Sequence, residues 1–190
     1  MTRLWWVRHA PTHAKSMVGW SDISADVSDD AAFDRLNDAL PRDAAIISSP
    51  LKRAQETAAK LTRNRVQYPL DADLREIHFG RWEGLTFDQA NAQDPDLLKQ
   101  FWDKPGASTA PDGESWDELC ARVGGAADRI AKLPPDDIIV VAHFGAILCQ
   151  VQRALNISTT DAFAQKIDNL SISCLSFDGR WSADCINQIP

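Results

Sequence analysis

A short apolar run near the start of the chain, Leu4 to Val7, ends abruptly in Arg8 and His9 and then in the turn-forming Pro11. Such a run is typical of a buried strand, and open α/β sheets bind ligands at the carboxyl ends of their strands. A histidine at that position could act as a nucleophile, an acid or a base. On these residues alone a surface Arg-His pair is the simpler interpretation, so the rest of the chain must supply partners for His9.

Two further apolar runs repeat this pattern. Residues 44–48 (AAIIS) predict a second strand, and Ser49-Pro50 after it predicts a helix start with a capping hydroxyl, which places Arg53 in the first turn. A helix N-terminus favours anions, and an arginine there adds a bidentate donor, although an ordinary solvated arginine is the alternative. Residues 137–142 (DIIVVA) predict a third strand that ends in His143, where a functional histidine is favoured over a structural one.

The remaining elements indicate one α/β domain over residues 1–190. Apolar spacing predicts helices within 28–40, 50–62, 87–92, 96–102, 115–133 and 146–155, and a terminal hairpin of 171–177 and 181–189. The order indicates a doubly wound core of 1–76 and 136–190, with a small helical cap insertion over about 77–135.

The net charge and the distribution of charged residues, cysteines and histidines limit the kinds of partner and site that the chain can have. The net charge of −7 argues against nucleic acid and against a membrane surface as partners. Charged residues interrupt every apolar run, so we expect neither a signal peptide nor a spanning helix. The four cysteines lack CxxC spacing and the four histidines lack HExxH spacing. We therefore expect free thiols in a cytoplasmic protein, and no metal site.

Two histidines and two arginines at predicted strand ends and a helix start suit a dianion, above all a phosphoryl group. Its transfer needs in-line attack and stabilisation of charge on the equatorial oxygens, which arginines supply without a metal. A neutral His9 would be the nucleophile if its other ring nitrogen donates to a backbone carbonyl. A protonated His143 would donate to the phosphoryl group.

Expelling an alkoxide needs a proton donor, and Glu76 in LREIHFGRWEG is the residue that we predict for this role. Apolar neighbours and the negative charge of a bound phosphate both favour a neutral carboxyl group. Two alternatives stay open: a solvated Glu76 paired with Arg75, and Glu83 as the acid. Trp82-Glu83-Gly84 is, however, more typical of a structural turn.

Five motifs in order, VRHAPT, SSPLKRAQETA, LREIHFGRWEG, PDGES and VVAHFGAI, resemble those of the histidine phosphatase superfamily, also called phosphoglycerate mutase-like. Asn169-Leu170-Ser171 is similar to a later family element. The resemblance implies a three-layer α/β/α sandwich with a mainly parallel central sheet and a small helical cap. It implies a phosphohistidine intermediate on His9, Glu76 as the acid-base group, and no metal or other cofactor. The phosphate would be held by Arg8, Arg53 and His143.

The loop after His9 is where the chain departs from the family pattern. Ala10 stands where glycine is common, Pro11 where an acid or glutamine is frequent, and Lys15 where asparagine is often found. These departures bear on specificity and leave the chemistry intact. Thr12 matches, and Trp20-Ser21-Asp22 resembles the loop bordering the pocket, so Thr12 and Trp20 are predicted to bind substrate.

The predicted reaction is hydrolysis of a small phosphomonoester, because the cap is short and we expect water to reach phosphorylated His9. Mutases of this family usually carry longer insertions, so phosphoglycerate mutase-type transfer is the second predicted function. A catalytically silent phosphate-binding module is the third. The resemblance is greatest to small phosphatases that act on α-ribazole 5′-phosphate or sugar phosphates. No motif indicates an oligomeric state, and the sequence is compatible with a homodimer.

Overall fold

The computed structural model describes residues 1–190 and contains a five-stranded sheet with helices on both faces. The strands are β1 (Thr2–Arg8), β2 (Ala45–Ser48), β3 (Asp137–Ala142), β4 (Ile172–Phe177) and β5 (Trp181–Gln188). The helices are α1 (Asp30–Ala39), α2 (Lys52–Thr62), α3 (Phe87–Gln93), α4 (Pro95–Asp103), α5 (Trp116–Ile130), α6 (Phe144–Leu155) and α7 (Thr159–Phe163). Two 3₁₀ turns lie at Ala72–Leu74 and Gly80–Trp82.

The order of strands in the sheet is β2-β3-β1-β4-β5. β3 pairs in parallel with both β1 and β2, whereas β4 runs antiparallel to β1 and to β5. The register aligns Arg8 of β1 with Ala142 of β3. His9 and His143, which follow these two residues, therefore leave the sheet side by side at the same edge.

The side chains of each strand point alternately to the two faces of the sheet, and each face is covered by its own layer of helices. Ile138 and Val140 of β3 pack with α5 and α6, while Ile139 and Val141 pack with α1 and α2 on the opposite face. Residues of a strand point alternately to opposite faces, so a strand buried on both faces is apolar throughout. The predicted three-layer sandwich with a mainly parallel centre is confirmed.

The start of α2 differs from its prediction. The helix begins at Lys52, and its N-cap residue Leu51 has no side-chain cap. The hydroxyl of Ser49, which the sequence predicted as the cap, accepts a hydrogen bond from the N–H of Leu51 at 3.3 Å and also lies 2.8 Å from His143 Nε2. Ser49 is thus engaged by a histidine far along the chain, a contact that no local pattern could indicate.

Between the core strands, α3 and α4 belong to the segment predicted as a cap. α5 also lies within the predicted cap boundaries of 77–135, but it packs against α6 in the layer that covers the sheet. The helix begins with a capping box made by Ser115 and Glu118. All four cysteines are free thiols. Among the helices, none has both the length and the apolar character required to span a bilayer.

Candidate active site

His9 follows the last residue of β1 and is only 7% exposed. Its Nδ1 lies 2.7 Å from the carbonyl oxygen of Ala10, which can only accept, so Nδ1 carries the hydrogen. The opposite nitrogen, Nε2, accepts a hydrogen bond from Nε of Arg53 at 3.3 Å. Burial lowers the pKa of His9 to about 3, and the positive charges of Arg53 and Arg8 act in the same direction against the Ala10 bond. The imidazole is therefore neutral, with its lone pair on Nε2.

Arg53, in the first turn of α2, is 1% exposed. Its Nη1 donates to the carbonyl of Ser21 at 2.8 Å and its Nη2 to the carbonyl of Gly19 at 2.6 Å. The guanidinium plane is thus fixed on one side by a loop and on the other by His9. This arrangement contradicts the alternative of a solvated arginine.

Arg8 and His143 complete the cluster around His9. Nη1 of Arg8 donates to the carbonyl of Ile167 at 2.6 Å, and the rings of His9 and His143 are 5.1 Å apart. Two buried nitrogens of this cluster, Arg8 Nε and His143 Nδ1, have no hydrogen-bond partner in the protein. Unpaired buried polar atoms are costly, and they are expected where a polar ligand binds.

Complete burial, followed by the positive charge of Arg53, lowers the pKa of His143 well below its usual value. The protonated form expected for His143 is therefore disfavoured by the protein alone. A dianion placed beside it would act in the opposite direction and raise this pKa.

Glu76 lies just after the first 3₁₀ turn and is 7% exposed. Its Oε1 accepts from the N–H of Ile77 at 2.9 Å, and its Oε2 accepts from the N–H of Gly145 at 3.0 Å. Gly145 is in the first turn of α6, two residues after His143, so this bond brings Glu76 to the cluster. The alternative of a solvated Glu76 paired with Arg75 is wrong, because the guanidinium of Arg75 lies over the ring of Trp20 at 3.6 Å.

The backbone of Glu76 is held by two residues from elsewhere in the chain. Its carbonyl accepts from Nε1 of Trp20 at 2.8 Å and from Nη2 of Arg122 at 3.1 Å. Arg122 also forms two 2.7 Å bonds to the carboxylate of Glu114, the glutamate of the PDGES motif, and donates to the carbonyls of Asp73 and Arg75. The sequence did not indicate Arg122, whose only signal is helical spacing after PDGES. For Trp20, contact with substrate stays a prediction.

Glu83, the alternative acid, has a structural role. Its carboxylate accepts hydrogen bonds from the N–H groups of Gly19, Trp20, Ser21 and Phe79, and from the Ser21 hydroxyl. Burial raises the pKa of Glu83, but the bonds from Ser21, Trp20 and Phe79 outweigh it and lower this pKa overall. An ionised carboxylate that organises the Arg53-binding loop is unsuited to donate a proton.

The loop after His9 is fixed by long-range contacts. The N–H of Ala10, which is fully buried, donates to Oγ1 of Thr57 at 2.9 Å, and the amide of Asn169 donates to the His9 carbonyl at 2.7 Å. Thr12 is half-buried, and its hydroxyl accepts from the N–H of Ala14 at 3.5 Å within the loop itself. Lys15 is exposed. Contact between Thr12 and substrate also stays a prediction.

Comparison with known proteins identifies the family to which this chain belongs. A bifunctional protein of Mycobacterium tuberculosis is 36% identical over 149 residues, which are 76% of this chain and 41% of that protein. The chain thus spans less than half the length of this relative. A metal-independent phosphoserine phosphatase of Arabidopsis thaliana is 30% identical over 151 residues, 75% of this chain and 60% of that protein.

A solved structure agrees with these relatives. The native structure of mycobacterial glucosyl-3-phosphoglycerate phosphatase superposes with a TM-score of 0.82 and 29% identity, covering 100% of both chains. The family model of the histidine phosphatase superfamily (branch 1) matches residues 4–188. On this evidence the chain belongs to the histidine phosphatase superfamily.

Proposed function

We propose that the protein is a phosphomonoester hydrolase that works through a phosphohistidine on His9. The observation that carries this proposal is the state of the His9 ring, whose Nδ1–H is held by the Ala10 carbonyl while the Nε2 lone pair faces Arg53. A neutral, oriented imidazole next to buried arginines is what nucleophilic attack on phosphorus requires.

The first step moves the phosphoryl group to the enzyme. The Nε2 lone pair of His9 attacks phosphorus, the P–O bond to the alcohol breaks, and Glu76 gives its proton to the departing oxygen. Arg8 and Arg53 stabilise the equatorial oxygens, and Nδ1 of His143 donates to one of them once the dianion has raised the pKa of this residue.

The second step releases phosphate. Water attacks phosphorus, the carboxylate of Glu76 accepts the proton of that water, and the P–N bond breaks, which restores neutral His9 and protonated Glu76. None of these residues needs a metal ion as a partner. Small phosphorylated metabolites are the proposed substrates, and α-ribazole 5′-phosphate, sugar phosphates, O-phosphoserine and 3-phosphoglycerate belong in the substrate screen.

The test is release of phosphate from p-nitrophenyl phosphate in EDTA, combined with detection of acid-labile protein phosphate after rapid quenching. His9→Asn should abolish both turnover and labelling. The matched control is His13→Asn, since His13 is exposed and paired with Asp26. Labelling that persists in His9→Asn would refute the nucleophile, and binding of phosphate without turnover in the unaltered protein would favour a silent binding module. Transfer between the hydroxyls of phosphoglycerate, faster than hydrolysis, would favour a mutase.

A further inference from the structure

A narrow cleft, partly open to solvent, adjoins the cluster around His9. Seven of its eleven lining residues are hydrophobic, and Glu76 is the single ionisable residue among them. Six of the lining side chains are aromatic: Phe79, Phe101, Trp102, Trp116, Phe144 and Phe163. A lining of this kind favours apolar ligands.

The aromatic rings support one another. Phe101 and Trp102 pack edge to face with centroids 5.3 Å apart, and Trp116 and Phe163 lie 4.7 Å apart. Nε1 of Trp116 is already paired, since it donates to Oε1 of Gln152 at 2.8 Å. The walls therefore offer ring surface and little hydrogen bonding.

Glu76 relates this cleft to the reaction. The proton donor must lie beside the oxygen of the departing alcohol, and Glu76 is both the proposed donor and part of the cleft wall. Phe144, another wall residue, lies under the guanidinium of Arg8, 5.4 Å from its ring centroid. A phosphate held by Arg8 and Arg53 would thus direct its alcohol group into the cleft.

We propose that this cleft binds the alcohol part of the substrate and selects an apolar or aromatic alcohol without a second negative charge. The proposal rests on the proposed function. A carboxylate in the cleft would lose its hydration, would find no cationic side chain in the walls, and would be repelled by Glu76 as this residue becomes ionised on giving its proton to the departing oxygen. Phosphoserine and phosphoglycerate would for this reason be poor substrates, in contrast to what the names of the relatives suggest.

The test compares esters that all expel a primary alkoxide, so that the attached group alone differs. We expect kcat/KM for benzyl phosphate to exceed that for 3-phosphoglycerate and O-phosphoserine by at least about tenfold. Trp102→Ala removes a wall residue that is 36% exposed and should lower this ratio severalfold. Phe87→Ala, at an exposed aromatic residue of α3 outside the cleft, should leave the ratio unchanged.

Equal or faster hydrolysis of the two carboxylate esters would overturn the selectivity while leaving the phosphatase proposal intact. If no ester is hydrolysed, the proposed function fails, and calorimetric binding of two phosphonates still tests the cleft. Benzylphosphonate should then bind at least about tenfold more tightly than 3-phosphonopropanoate, and equal affinities would refute the cleft assignment.

Discussion

Nε of Arg53 donates to Nε2 of His9 across 3.3 Å, while the two Nη atoms of the same guanidinium donate to the carbonyls of Ser21 and Gly19. The arginine therefore links the loop to the proposed nucleophile through three hydrogen bonds. A lysine has a single ammonium group and cannot reach all three acceptors.

Arg53→Lys should accordingly lower kcat for p-nitrophenyl phosphate by about 10²- to 10³-fold, because charge on the phosphoryl oxygens loses a fixed donor. Arg35→Lys, at an exposed position of α1, is the control and should keep wild-type kcat. Near-normal turnover by a folded Arg53→Lys protein would show that this guanidinium does not stabilise the transition state.

The lowered pKa of His9 predicts a pH-dependent stability. The ordinary value of 6.5 applies to the unfolded chain and the value of about 3 to the folded one, so the unfolded chain binds more protons between these values. Stability is fully present above pH 6.5 and is lost as the pH falls toward 3, and His9 alone should account for about 2 kcal/mol between pH 7.5 and pH 5. Urea unfolding at both pH values measures this loss. In His9→Asn the decrease should be smaller by that amount, and an unchanged decrease would contradict the burial of a neutral His9.

Gly145 lies so close to the carboxyl group of Glu76 that we expect no larger residue to fit at this position. A Cβ at this position would lie 2.5 Å from Oε1 of Glu76 and 3.2 Å from Cδ2 of Leu119. Gly145→Ala should therefore displace the carboxyl group and reduce turnover of benzyl phosphate more than that of p-nitrophenyl phosphate, whose leaving group needs less protonation. Gly125→Ala, on α5, places its Cβ no closer than 3.7 Å to a side-chain atom and serves as the control. Equal loss with both esters would mean that Glu76 is not the proton donor.

Arg122 and Arg129 provide a matched pair on α5. Arg122 and its partner Glu114 have side chains only 14% and 16% exposed, whereas the Arg129 side chain is 56% exposed although it contacts two aspartates. Arg122→Met should lower the free energy of unfolding by about 3 kcal/mol, since it leaves Glu114 without its ion-pair partner and the carbonyls of Asp73 and Arg75 without a donor. Arg129→Met should cost at most about 1 kcal/mol. Chemical denaturation of both variants measures the difference, and similar costs would refute the assigned importance of the Arg122 cluster.

The sequence could predict the residues that the sheet brings together. His9 and His143 follow parallel strands of equal register, so their proximity follows from the βαβ pattern and from the apolar runs alone. Arg53 could be predicted because Ser49-Pro50 marks the approach to a helix, although the helix starts at Lys52.

The role of Glu76 could not be predicted from the residues next to it in the sequence. The contact that orients its carboxyl group comes from the backbone of Gly145, in another part of the chain. The same is true of Ser49, whose hydroxyl contacts His143 as well as the N-cap residue Leu51. It is also true of Arg122, whose acceptors are mostly backbone carbonyls. Backbone acceptors have no signature in the residue types around them. Trp20 was singled out from its motif, but its observed contacts are with Arg75 and the Glu76 carbonyl.

The position of β3 between β1 and β2 has a consequence for synthesis on the ribosome. β1 and β2 carry the segments that bear His9 and Arg53, yet they do not touch in the sheet and are joined only through β3. The emerging chain must therefore wait for residues 137–142 before its first two strands can pair in their native order. Until that strand is translated, His143 cannot join His9, and β1 and β2 lack the central strand that covers their inner edges.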